Sequence, residues 1–222
     1  MNASRLFVSA LLLLVWAGCA TAPTNPASLA AVAVLTSDAG LHEKARACQE
    51  LGVVGGPEAV PALAGLLSHE HLGDYARSGL EAIADPSAGA ALRQALSTLQ
   101  GRSLAGAVNS LGVRRELVAV PELERLALDP KSGVATEALA SLGMIGTVKA
   151  VKPLQQIVQN GPEALRIPAA HASLVAAERL AQSGNVSVAR TVLDMVVRSL
   201  PPGHLQTTAQ SQLTALTARP AR

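Results

Sequence analysis

The stretch LGVRRELVAVPEL at residues 111–123 has two near copies, LGVVGGPEAVPAL at 51–63 and LGMIGTVKAVKPL at 142–154. The apolar letters hold their places while the charges change. Aligning the rest of the chain on these copies puts Ala47, Ala76, Ala107, Ala138 and Ala169 in one column, with steps of 29, 31, 31 and 31 residues. Leu51, Leu80, Leu111 and Leu142 make a second column. Ala59, Ala88, Ala119 and Ala150 make a third, and Leu63, Leu92, Leu123 and Leu154 a fourth. A fixed period of this size means stacked supersecondary units, none of which can bury its apolar face alone.

Each repeat contains two helical stretches. In HEKARACQELGVV (42–54), Ala45, Cys48 and Leu51 recur at helical spacing. Breaks follow at Gly55-Gly56-Pro57, at Asp85-Pro86 and at Gly146-Thr147. A second helix is predicted to begin near Glu58, with Pro61, Pro121 and Pro153 near the starts of these second helices. Proline is tolerated there because first-turn N–H groups have no intrahelical partner. No run of β-branched alternation stands between the breaks. The predicted fold class is all-α: a right-handed superhelical α-solenoid of antiparallel helix pairs. Aromatics are 1% of the chain, namely Phe7, Trp16 and Tyr75. The core must therefore be filled by Ala, Leu, Val and Ile, with small residues letting backbones approach.

The N-terminus, MNASRLFVSALLLLVWAGCATAPTNP, has a basic Arg5 and an apolar run from Leu6 to Gly18. That run is too short to span a bilayer comfortably and has the form of an export signal. Ala17, Gly18 and Cys19 resemble the lipobox of bacterial lipoproteins, in which the cysteine is lipidated and becomes the first residue; Trp16 departs from it. Ordinary cleavage after Ala20 or Ala22 is the other reading. The expected organisation is a signal peptide over 1–18, a flexible tether over 19–26 and a repeat array over 27–161. Irregular helical hairpins over 162–218 close the solenoid, and a disordered tail covers 219–222. Residues 1–18 hold one of the 18 basic side chains, so 17 stand against 16 acidic ones in the remainder. Such a balance gives no field for steering to nucleic acid. Cys48 lies on an apolar helical face and reads as a small buried hydrophobe.

A helix, a short turn and then PEAVPALAGLL resembles the HEAT-like repeats of bacterial proteins, over about 120 residues. The stretch around SGLEAIADPSAGAALRQAL and AGAVNSLGVRR is similar to exported HEAT-repeat proteins of unassigned function. AAERLAQSGNVSVARTVLDMVV is similar to a tetratricopeptide unit without its usual aromatics. The resemblance implies a superhelical scaffold whose concave face is lined by second helices, and it implies no chemistry.

HEAT repeats can carry a di-iron site through matched His-Glu pairs, as in deoxyhypusine hydroxylase. Here His42-Glu43 and His69-Glu70 are not at equivalent positions, and repeats three and four have no such pair. Two neighbouring side chains at 69–71 cannot close a metal site. The sequence also lacks G-x-S-x-G, H-E-x-x-H and a Gly-rich loop between strand and helix. No cofactor, metal or nucleic acid is expected, and the chain is expected to be a non-enzymatic monomer that meets a membrane through its lipid anchor only. Arg114-Arg115 could grip a carboxylate or phosphate; as a short charge run in a turn, the pair reads first as solvated. On the second helices the candidates for contact with a protein or peptide partner are Glu58, Arg93, Glu122, Arg125, Lys149 and Lys152. The role this implies is a protein–protein interaction scaffold in the bacterial envelope, in the periplasm or at the outer membrane, or else secreted. The alternative is an enzyme or ligand-binding protein, lyase-like or metal-dependent, with a site inside the superhelix.

Overall fold

The computed structural model describes residues 25–129 and 131–218, and every regular element among them is helical. The export signal, Cys19 and the 219–222 tail lie outside the described residues. α1 (Pro26–Thr36) comes first. Five helix pairs follow: α2 (Leu41–Val54) with α3 (Val60–Ala64), α4 (Gly73–Ala82) with α5 (Pro86–Ala95), and α6 (Gly101–Val113) with α7 (Val120–Leu128). Then come α8 (Ala135–Ile145) with α9 (Val148–Asn160), and α10 (Glu163–Gln182) with α11 (Val186–Ser199); α12 (His204–Ala218) is last.

Two layers result. The first helices stack as α2, α4, α6, α8 and α10, with α12 in the next place against α10 and α11. The second helices α3, α5, α7, α9 and α11 form the other layer. α1 packs on α2, on α3 and on the turn 57–59, so it stands as a second helix without a first. This is an α-solenoid, as the columns predict. The α10–α11 pair, expected as part of an irregular closing segment, continues the same two layers. Asn25 and Pro26, expected in the tether, are instead the N-cap and first residue of α1, where the Asn25 side chain accepts from the Ala27 N–H at 3.0 Å.

The columns are the core. Leu51, Leu80, Leu111, Leu142, Leu63, Leu92, Leu123 and Leu154 have no exposed surface, and neither do Ala76, Ala107, Ala138 and Ala169. Small residues set how closely the first helices approach. A Cβ added at Gly143 would lie 2.7 Å from the Ala172 carbonyl oxygen, and one at Gly112 would lie 2.7 Å from the Ser141 Cα. Asp85 and Thr147 cap α5 and α9 by accepting from the N–H of Ser87 at 2.8 Å and of Ala150 at 3.2 Å. Gly146, at φ 58°, ends α8 in the left-handed region that favours glycine.

The prolines divide. Pro61 and Pro121 fall in the first turns of α3 and α7, after 3₁₀ turns at 57–59 and 117–119. Pro153 lies inside α9, which starts five residues earlier because Thr147 caps it. Its missing N–H leaves the ladder one bond short, and the buried ring stays within the packed face.

Candidate functional site

The six second-helix candidates are not equivalent in the structure. Glu58 is half-buried and accepts from the buried Ser28 hydroxyl of α1 and from the Gly56 N–H at 3.0 Å. The Ser28 hydroxyl foremost holds its carboxyl below the usual value. Glu58 therefore ties α1 to the first repeat. Arg93 of α5 and Glu122 of α7 are an ion pair at 3.6 Å, both half-exposed. Those three correct the expectation of six exposed contacts.

Arg125, Lys149 and Lys152 are exposed, with no ion pair among the described residues. The register places Pro61, Ala90, Pro121 and Lys152 in one exposed column and, one helical turn on, Gly65, Gln94, Arg125 and Gln156 in the next. Arg190 of α11 is exposed as well. The solvent face of the second helices thus changes along the array. It is small and neutral over α3 and α5 and basic from α7 onward.

Arg114 is not a solvated turn residue. Its Nη1 donates to the carbonyls of Leu80 at 2.9 Å, Glu81 at 3.1 Å and Ile83, and its Nη2 to that of Asp85 at 3.1 Å. The first three are the carbonyls at the end of α4, where a cation also meets the negative end of the helix dipole, and the fourth belongs to the N-cap of α5. Arg114 therefore locks repeat three onto repeat two. Glu116 is tucked in beside it: a Cβ on Gly89 would strike the Glu116 carboxylate. Asp85 is held below its usual carboxyl value by the Ser87 hydroxyl first, then by the Ser87 N–H, with the Arg114 charge adding to it. Arg115 alone of the pair is exposed, and among the described residues it is the non-glycine residue with positive φ, at 54°.

A polar cluster that the sequence reading passed over lies between α4 and α6. Arg77 donates to Glu81 at 3.2 Å and to the buried Ser110 hydroxyl at 2.8 Å, and Ser110 donates to Glu81 at 2.5 Å. Asp74 joins it through an ion pair with Arg77 at 3.8 Å and accepts from the exposed Arg102 at 2.6 Å. The signal was present in the columns. Arg77 stands in line with Cys48, Val108 and Leu139, and Glu81 in line with Gly52, Gly112 and Gly143. Two charges occupy positions that are apolar or glycine in the other repeats.

Cys48 is fully buried, and burial pushes its thiol up to about 11. The thiolate, the reactive form, is suppressed there. Among the described residues no group of three or more His, Cys, Asp or Glu side chains could hold a metal ion. His42 and Glu43 line a shallow depression of about 330 Å³ between α1 and α2, with Arg46 and Glu50. His69 accepts from the His71 and Leu72 N–H groups and so folds its own turn.

Residues 89–175 match the family of HEAT repeats. None of the curated proteins matches the chain. An engineered protein of known structure is similar at 19% identity over 87% of this chain and 97% of its own, with a TM-score of 0.45. That likeness is too loose to carry an argument. The matched stretch runs from α5 into α10, and the two-layer stacking there is the arrangement of HEAT-like repeats.

Proposed function

We propose that the protein is a non-enzymatic interaction scaffold of the bacterial cell envelope, held to a membrane by lipid on Cys19, and that it binds a protein or peptide along its second-helix layer. The observation that carries the binding reading is the exposed basic run Arg125, Lys149 and Lys152, unpaired among the described residues, beside a fully packed core. Exposed charge arranged along a repeat face gives specificity and association rate more than bulk affinity. The closed packing of the titratable clusters around Arg77 and Arg114 supports an interaction role over chemistry. The Ala-Gly-Cys end of the apolar N-terminal run supports the anchor.

The test is capture from envelope extracts by the wild-type chain and by an Arg125→Glu, Lys149→Glu, Lys152→Glu variant with unchanged helicity. Partners retained by the wild type and lost by the variant are expected. Equal capture by both would move the site off the second helices. Mass spectrometry of the mature N-terminus tests the anchor: acyl mass on Cys19 is expected, and a mature chain starting at Thr21 without added mass overturns it.

A further inference from the structure

The two edges of the solenoid differ in chemistry. First helices end, and second helices begin, at one edge, formed by the turns within repeats. At this edge Val53 is 86% exposed and Leu117 and Val118 are 60% exposed. Val113, Val148 and Val186 are exposed there too. Isolated exposed aliphatics need no explanation, but a series repeated along one edge marks a contact surface. The carboxylates at this edge are turned to internal use: Glu58 on Ser28, Asp85 on Ser87, Glu116 against Gly89. Arg115 and Lys149 are left exposed, so the edge is apolar with free cations. The opposite edge, formed by turns between repeats, also shows apolar side chains, such as Leu41 and Tyr75. There they are interleaved with exposed charges of both signs, Asp38, Glu43, Glu70 and Glu163 among the acids and Arg102, Lys131 and Arg198 among the bases.

The chain enters the array at the apolar edge. The first turn of α1 lies against the within-repeat turn 57–59, through the Ser28–Glu58 bond. Cys19 and Pro26 are seven residues apart, at most about 25 Å at full extension. A lipid on Cys19 therefore joins the array from this edge, which lies nearer the anchor than the opposite one.

We propose that the within-repeat-turn edge lies on a phospholipid surface, with Val53, Leu117 and Val118 in the interfacial zone and Arg115 and Lys149 at the phosphates. This rests on the anchored reading above and goes beyond it, since there the lipid alone meets the membrane. Aliphatic side chains gain by entering the acyl boundary, and each cation near an anionic surface adds attraction. The second-helix face is then presented sideways to a partner at a fixed height.

The experiment uses the full chain expressed with its own N-terminal segment. A single cysteine, Val118→Cys or Glu70→Cys, carries an environment-sensitive fluorophore; buried Cys48 does not label. Envelope vesicles are isolated and a lipid-phase quencher is added. The expected result is a blue-shifted, quenched signal at 118 and an aqueous, unquenched one at 70. Adding Arg115→Glu and Leu117→Ser, both exposed and so tolerated by the fold, should reduce quenching of a reporter at Val148→Cys. A chain that is in the membrane fraction with all reporters aqueous overturns the edge contact and leaves the anchor standing. A chain in the soluble fraction overturns both.

Discussion

The seam between α8 and α10 and the seam between α4 and α6 occupy the same place in the repeat and are built by opposite chemistry. At α8–α10, Gly143 lets the Ala172 backbone come so close that no Cβ fits. At α4–α6 the residue in register with Gly143 is Glu81, and the residue in register with Leu139 is Arg77. The helices there pack less extensively, and in the other layer α5 and α7 approach less closely than their neighbours do. The Arg77–Glu81–Ser110 bonds, the Arg93–Glu122 pair and the Arg114 clamp hold what apolar contact holds elsewhere. A repeat array tolerates this because each repeat needs only complementary neighbours, and the choice is made seam by seam.

The largest effect should come from the core that both seams share. Leu111 is fully buried in α6, and Leu111→Ala should cost about 2–5 kcal/mol through lost burial plus a cavity. Hydrogen exchange should rise more in α8 than in α4, because α6 meets α8 across the close seam. A loss under about 0.5 kcal/mol in urea unfolding would place Leu111 outside the core. Equal exchange in both neighbours would erase the contrast between seams. Next comes overpacking: Gly143→Ala should cost about 1–3 kcal/mol, since the added methyl meets backbone that must shift. Gly52→Ala is a useful reference. It stands in the same column inside α2, and its added Cβ meets nothing closer than 3.6 Å, so it reports the glycine replacement without the overpacked seam.

The columns made the α-solenoid legible, because core positions repeat and a period of 31 residues admits few architectures. The roles of charged residues were legible only in part, because a charge has no period of its own. Arg114 looks solvated in sequence, and its partners are carbonyls about thirty residues earlier that sequence does not display. Glu58 and Arg93 sit on the predicted helices, yet Ser28 and Glu122 had already claimed them. The Arg77–Glu81 cluster could have been found by asking which repeat breaks each column. That question was available from the alignment and points to the polar seam directly.

A third experiment converts one seam into the other. Glu81→Gln alone should destabilise by about 1–3 kcal/mol, since it weakens the acceptor for Ser110 and leaves Arg77 short of a counter-charge. Arg77→Val with Glu81→Gly restores the column residues. Replacing a charge pair by apolar groups of similar volume is often neutral or stabilising; Val and Gly are smaller, so if α4 and α6 close up as α8 and α10 do, the double variant should unfold at the wild-type midpoint or above it. If it is less stable than Glu81→Gln, the polar cluster is the better packing for that helix spacing, and the two seams are not interchangeable.

The smallest effect is expected from acid, and it should be local. The Asp85 carboxyl, held low by the Ser87 hydroxyl and N–H with the Arg114 charge behind them, caps α5 beside the polar seam. A carboxyl with a folded-state pKa below its unfolded one binds fewer protons when folded. Its contribution is therefore complete above the ordinary carboxylate range, around pH 4, and is lost as pH falls through the lower folded value. Glu58, held low by Ser28, behaves the same way at the α1–α3 contact. The α8–α10 seam is packed instead by Gly143, Ala172 and Leu139. Below about pH 4, amide protection factors over 26–36 and 86–95 should therefore fall before those over 135–182. Asp85→Asn should narrow that difference over 86–95, because the asparagine cap does not titrate. Protection that falls uniformly along the array on acidification would show that the solenoid opens as one cooperative body, with the polar and close seams bound into the same unit.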